Sequence, residues 1–186
     1  MSLKASVFIA TSLDGYLAGK DGNLDWLEAA NKTVPEGEDC GYNAFIESID
    51  HLIMGRNTFE KVLSFGQWPY AEKSVIVLSS KKIEIPDHLA KTVSWTGESP
   101  KKLYNRLCGL GAKRLYIDGG IIIQRFLEEG LIDDITITLI PVFLGSGIPL
   151  FGESENEMTF KLANIHSYDF GFVQLTYNTK WKILLN

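Results

Sequence analysis

The sequence predicts an α/β protein with one mixed sheet, largely parallel, and helices on both faces. Short β-branched runs alternate with segments of helical apolar spacing, the pattern that strands joined by crossover helices produce. Glycines punctuate the strand-to-helix joints, and two late runs flanking Tyr168-Asp169-Phe170-Gly171 read as an antiparallel hairpin. The 186 residues suit one domain. At that size about 70% of the unfolded surface is buried, so no disulfide or structural metal is needed.

Taken in order, residues 7–10 form a buried first strand. Residues 11–38 are rich in Gly, Asp and Asn and close on Pro35 and Gly37, so they read as a long loop with one helical turn around Trp26. Loops of that length in a domain tend to be functional or mobile. Tyr42, Phe45, Ile46 and Ile49 recur at helical intervals and predict a helix with one buried face. A strand at 51–54, ended by Gly55, a helix at 57–64 and a strand at 74–79 follow. Ser99 before Pro100 is an N-cap with proline at the first helical position, opening a helix to about Leu110. Residues 114–117 are a strand, Gly119-Gly120 a break, and 121–129 a helix closed by Gly130. Residues 134–141 alternate Ile135, Ile137 and Leu139 with threonines, as a half-covered strand does. The hairpin takes 159–167 and 172–181, and with no repeat, low-complexity tract or linker in view, 1–186 is expected to be a single domain.

Eighteen Lys+Arg against 23 Asp+Glu leave a net charge of −5, which argues against a protein that grips nucleic-acid backbone. Cys40 and Cys108 are too few for a disulfide framework and lack zinc-site spacing, which suits the reducing cytoplasm. No apolar run reaches the ~18 residues that a membrane span needs. The run at 5–10 is shorter than a signal-peptide core. His51, His88 and His166 stand alone, so no metal site is expected. Small-molecule chemistry or a protein partner remains.

Three loops leave the carboxyl ends of predicted strands, where open α/β sheets hold their ligands. In the first, Gly55 turns the chain into a helix whose free N–H groups, with Arg56, Asn57 and Thr58, suit a phosphate. In the second, Ser79-Ser80-Lys81-Lys82 offers hydroxyls and ammonium groups for another phosphate, such as the ribose 2′-phosphate of NADPH. In the third, Gly119-Gly120 lets a backbone approach closely ahead of Ile121 and Ile122. Each alone is also an ordinary turn. Together, far apart in sequence, they point to an extended dinucleotide. Gly145-Ser146-Gly147 imitates a dinucleotide fingerprint, but Leu150 stands at the third glycine position and Pro149 obstructs the helix that motif must open. For proton work the candidates are Asp14, Asp25 and Asp39, each of which is also a plausible turn or capping residue.

The order Ser12-Leu13-Asp14-Gly15, then Met54-Gly55-Arg56-Asn57-Thr58-Phe59-Glu60, then Leu78-Ser79-Ser80, then Ile117-Asp118-Gly119-Gly120 resembles the dihydrofolate-reductase-like superfamily. With Gly130-Leu131-Ile132-Asp133-Asp134 and residues 141–151 it is similar to the branch containing the reductase domain of bacterial riboflavin biosynthesis. The resemblance implies a three-layer α/β/α sandwich, NADPH as cofactor, and often a homodimer. It implies that Arg56, Asn57 and Thr58 bind the cofactor phosphates beside Gly55, that Ser79 and Ser80 sit at the 2′-phosphate, and that Gly119, Gly120, Ile121 and Ile122 cradle the pyrophosphate. Ala10 and Leu17 then touch the nicotinamide end, and Asp39 lies where the folate enzymes carry their substrate carboxylate. Residues 21–41 depart from the folate pattern, and the His-x-Glu and Pro-Cys-x-x-Cys elements of the fused zinc deaminase are missing from this sequence.

The expectation is an NADPH-dependent reductase acting on an amino-pyrimidine or pterin, with Asp14 and Asp39 as the catalytic carboxylates. A dihydrofolate reductase and a catalytically silent dimeric NADPH-binding module are the alternatives.

Overall fold

In the computed structural model, residues 3–70, 72–154 and 157–179 are described. The first apolar run extends past its expected bounds into β1 (Lys4–Ser12), whose alternate residues Ala5 and Val7 are fully buried. The expected loop at 11–38 carries two elements of its own, β2 (Tyr16–Ala18) and α1 (Asp25–Asn31). Trp26, the residue around which one turn was expected, is the buried residue of α1 and packs against Ile140 and Phe172. Next come α2 (Tyr42–Glu47), β3 (His51–Gly55), α3 (Arg56–Leu63) and β4 (Ser74–Leu78). The chain then forms β5 (Val93–Thr96), α4 (Pro100–Gly109), β6 (Arg114–Asp118), α5 (Gly120–Glu128) and β7 (Asp134–Ile140). It closes with β8 (Ile148–Pro149), β9 (Lys161–Ser167) and β10 (Val173–Asn178). Ser99 caps α4 as expected, its hydroxyl accepting the Lys102 N–H at 3.4 Å. Residues 180 and 181 of the expected hairpin lie outside the described residues.

Eight strands form one sheet in the order β5-β4-β3-β6-β1-β7-β10-β9. β5 through β7 run parallel, and β10 and β9 add antiparallel, in the hairpin arrangement expected. Parallel strands buried on both faces read as continuous apolar runs, which is how His51–Gly55 and Ser74–Leu78 appear in the sequence. One face is covered by α4 and α5 through Leu103, Leu107, Ile123 and Phe126, and the other by α2 and α3 through Phe45, Phe59 and Val62. The three-layer sandwich is therefore present. β1 enters the sheet between β6 and β7, pairing Ser6 with Tyr116 on one side and with Asp134 on the other.

Candidate active site

The carboxyl ends of β1, β3, β4 and β6 open on a cleft of about 590 Å³. At the β1 end it is lined by Ile9 and Ala10, with Leu17 and Ala18 of β2 alongside. Gly55, Arg56, Asn57 and Thr58 contribute the turn from β3 into α3, and Ser79 and Ser80 follow β4. Gly119, Gly120, Ile121 and Ile122 contribute the turn from β6 into α5. All twelve residues expected to hold a cofactor thus meet in one cleft, although they come from five separate stretches of chain.

Two helices start at its wall. α3 is preceded by Gly55 and α5 by Gly119, and neither first turn is closed by a capping side chain. Their leading N–H groups are left for a ligand, with the positive ends of both helix dipoles behind them. Arg56, Lys61 and Arg125 add cationic side chains to the same lining. Arg56 is held loosely, 3.7 Å from Glu60 on the next turn, with its side chain 44% exposed. The Ser79 carbonyl is fixed by the Trp95 indole N–H at 3.0 Å and the Ser79 N–H by the Thr96 carbonyl at 3.1 Å. β5, which the sequence does not announce, therefore positions a predicted site residue. Such a donor set fits an extended polyanionic cofactor.

The expected catalytic carboxylates are elsewhere. Asp14 does not line the cleft. Its oxygens accept the Ser12 hydroxyl at 2.7 Å and the N–H groups of Leu144 and Gly145 at 3.1 and 2.7 Å. Desolvation pulls its pKa upward, but these donors outweigh it and leave the carboxyl below its usual range. Asp39 also stands outside the cleft lining, accepting the Asn43 and Gly41 N–H groups at 2.9 and 2.8 Å ahead of α2, which lowers its pKa. Asp25 opens α1 at its first position. Both expected catalytic carboxylates serve as braces because short acidic side chains satisfy nearby backbone donors first.

The carboxylate that does line the cleft is Asp118, the last residue of β6 and 7% exposed. The sequence shows it within the Ile117-Asp118-Gly119-Gly120 turn, where the glycines draw attention and the aspartate reads as turn chemistry. The available signal was a charged residue terminating a strand whose preceding residues Leu115, Tyr116 and Ile117 are apolar and buried. Burial raises its pKa to about 6, with the Gly119 N–H, at 2.8 Å, and the Tyr116 hydroxyl opposing the rise. Tyr42, Tyr70 and Tyr116 surround it. Burial and then the Asp118 charge push Tyr42 up to about 12 and raise Tyr70 and Tyr116 as well.

The fold and the cleft define an α/β protein with a candidate ligand site at the carboxyl edge of its sheet. The chain belongs to the RibD C-terminal domain family, whose model matches residues 4–174. It is 38% identical over 166 residues to the uncharacterized protein YwjB of Bacillus subtilis, covering 87% of this chain and 90% of that one. A solved structure described as a putative riboflavin biosynthesis protein from Shewanella sp. PV-4 superposes with a TM-score of 0.89 at 43% identity, covering 97% of this chain and all of that one. A diaminohydroxyphosphoribosylaminopyrimidine deaminase/5-amino-6-(5-phosphoribosylamino)uracil reductase from Thermotoga maritima shares the fold, with a TM-score of 0.69 at 15% identity. The match covers 96% of this chain and 57% of that two-activity protein.

Proposed function

We propose that the protein is an NADPH-dependent reductase of the riboflavin-biosynthesis type, transferring hydride to an amino-pyrimidine or pterin substrate. The observation that carries this reading is the convergence, in one cleft, of two uncapped helix N-termini, three cationic side chains and the Ser79-Ser80 hydroxyls. α3, α5 and Arg56 would hold the phosphates, and Ser79 and Ser80 the 2′-phosphate. Ala10 and Leu17 offer apolar surface to the nicotinamide, which supplies the hydride when bound. The chain's own contribution is alignment of donor and acceptor and exclusion of water by Ile9, Leu17, Leu24 and Leu27.

The reading includes a cytoplasmic homodimer. Cys40 and Cys108 are free thiols, and no helix among the described residues is long and apolar enough to cross a membrane. All seven residues of the edge strand β9 are exposed, including Leu162 and Ile165. Sedimentation velocity of the whole protein tests the dimer.

Fluorescence titration with NADPH and NADH tests the cofactor, and NADPH binding tighter than NADH is expected. Oxidation of NADPH is then followed with 5-amino-6-(5-phosphoribosylamino)uracil and, separately, with dihydrofolate. Turnover of the first and not the second supports the assignment. Equal affinity for NADH and NADPH contradicts the role given to Ser79 and Ser80.

A further inference from the structure

β5 ends at Thr96, and the ladder it forms with β4 runs out where Ser79 enters the cleft lining. In a parallel ladder, a residue that donates its N–H to one carbonyl of the neighbouring strand accepts, through its own carbonyl, from the N–H two residues further along that neighbour. Ser79 donates to the Thr96 carbonyl at 3.1 Å, so its own carbonyl is due the Glu98 N–H. That donor is turned away. Glu98 gives its N–H to the Thr96 hydroxyl at 3.3 Å, and the same hydroxyl donates to the Glu98 carboxylate at 2.9 Å. Arg106 of α4 holds this carboxylate in place, with contacts of 2.7 and 3.0 Å to Oε2. The Trp95 indole N–H fills the gap, reaching the Ser79 carbonyl at 3.0 Å. A side chain thus supplies the bond that the ladder lacks.

The Ser79 hydroxyl is engaged as well. It accepts the Lys81 N–H at 3.2 Å, which closes the Ser79-Ser80-Lys81 turn. A serine hydroxyl has one proton and two lone pairs. Lys81 takes one lone pair, and the proton meets no acceptor among the described residues, so a hydrogen-bond donor stands ready in the cleft lining. An ionised acceptor such as a phosphate oxygen gains most from such a donor. Trp95 itself does not line the cleft and acts on a ligand only through Ser79.

We infer that Trp95 is a positioning residue that sets the preference for a dinucleotide phosphorylated at the adenosine 2′ oxygen, by holding Ser79 where its hydroxyl donates to that phosphate. This rests on the reductase reading, which gives the 2′-phosphate to Ser79 and Ser80. Without the indole donor the Ser79 carbonyl is left short of a partner, and the turn that carries the hydroxyl loses its fixed place. A cofactor that lacks the 2′-phosphate makes no use of that hydroxyl and is indifferent to the loss.

Trp95→Phe keeps an aromatic ring and removes the N–H. Titration of the whole protein should show this variant binding NADPH about 10-fold more weakly and NADH less than about 2-fold more weakly. In the Ser79→Ala background the same substitution should change NADPH affinity less than about 2-fold, because the hydroxyl it positions is gone. Equal weakening of both cofactors, weakening of neither, or an undiminished effect in the Ser79→Ala background overturns the inference, while NADPH-preferring turnover by the wild type leaves the reductase reading standing. Should Trp95→Phe fail to fold, wild-type protein labelled with 15N-tryptophan gives the answer. The Trp95 indole N–H resonance is expected to shift with adenosine 2′,5′-bisphosphate and to stay in place with adenosine 5′-phosphate, and a resonance that moves alike with both overturns the inference. A wild type that binds neither NADPH nor NADH overturns the reductase reading, and the role of Trp95 with it.

Discussion

A methyl group on Gly119 would run into the Thr58 hydroxyl, so the start of α5 and the first turn of α3 meet with room for nothing larger than hydrogen. Gly119 also holds φ at 87°, a region that side chains other than glycine occupy only under strain. The two uncapped helix starts are brought together by this contact.

Gly119→Ala is therefore expected to cost about 1–3 kcal/mol and to weaken NADPH binding together with stability. Adding Thr58→Ala removes the collision but leaves the φ strain, so the double variant recovers only part of the loss. Thermal unfolding of the four proteins in a double-mutant cycle measures the coupling.

Asp118 makes stability fall with pH. Well below pH 3.8 both the folded and the unfolded chain carry its proton. Between 3.8 and about 6 the unfolded chain releases it and the folded chain keeps it, so each rise in pH favours unfolding. Above about 6 the cost is constant, roughly 3 kcal/mol. Asp118→Asn should then raise Tm at about pH 8 and lose that advantage as the pH is lowered towards 4. A variant less stable than wild type across the whole range would contradict it.

Asp14 and Asp39 should behave as braces. Asp14→Ala frees the Leu144 and Gly145 N–H groups and Asp39→Ala frees those of Gly41 and Asn43. Each variant should melt at a lower temperature than wild type, with NADPH affinity and the pH profile of turnover unchanged. Because both carboxyls lie below their ordinary pKa, their stabilisation is present at neutral pH and fades as the pH falls through the folded value.

Arg56 should act on affinity and not on the chemical step. Arg56→Ala is expected to weaken NADPH binding about 10- to 100-fold with kcat nearly unchanged, which titration and steady-state kinetics separate. Wild-type affinity should also fall as salt is added, more steeply than that of the variant. Ser79→Ala combined with Ser80→Ala should reduce the preference for NADPH over NADH and leave NADH binding in place.

Most of the parallel sheet was legible because strands buried on both faces leave continuous apolar runs bounded by glycine. β5 was not, since Val93-Ser94-Trp95-Thr96 is a four-residue edge strand in which only Val93 is buried. β2 and β8 escaped for a related reason: two short segments pair with each other across more than a hundred residues, and neither shows a period. The helix starts that wall the cleft were readable because turns from strand to helix at glycine recur in the sequence itself. The carboxylates were not, because their roles depend on which donors the fold delivers. Asp14 meets Leu144 and Gly145 only after the chain has come back from the far side of the sheet, whereas Asp118 meets no cation at all among the described residues.

The place of β1 fixes when the cleft first exists during synthesis. Its neighbours β6 and β7 begin at Arg114 and Asp134, so a ribosome-bound chain that has emerged only through β4 has Ile9 and Ala10 but no partners to hold them. Pairings this distant in sequence close late and slowly. A nascent chain stalled before Arg114 therefore exposes an unpaired apolar strand at its amino end, and a ligand added at that stage has no cleft to stabilise.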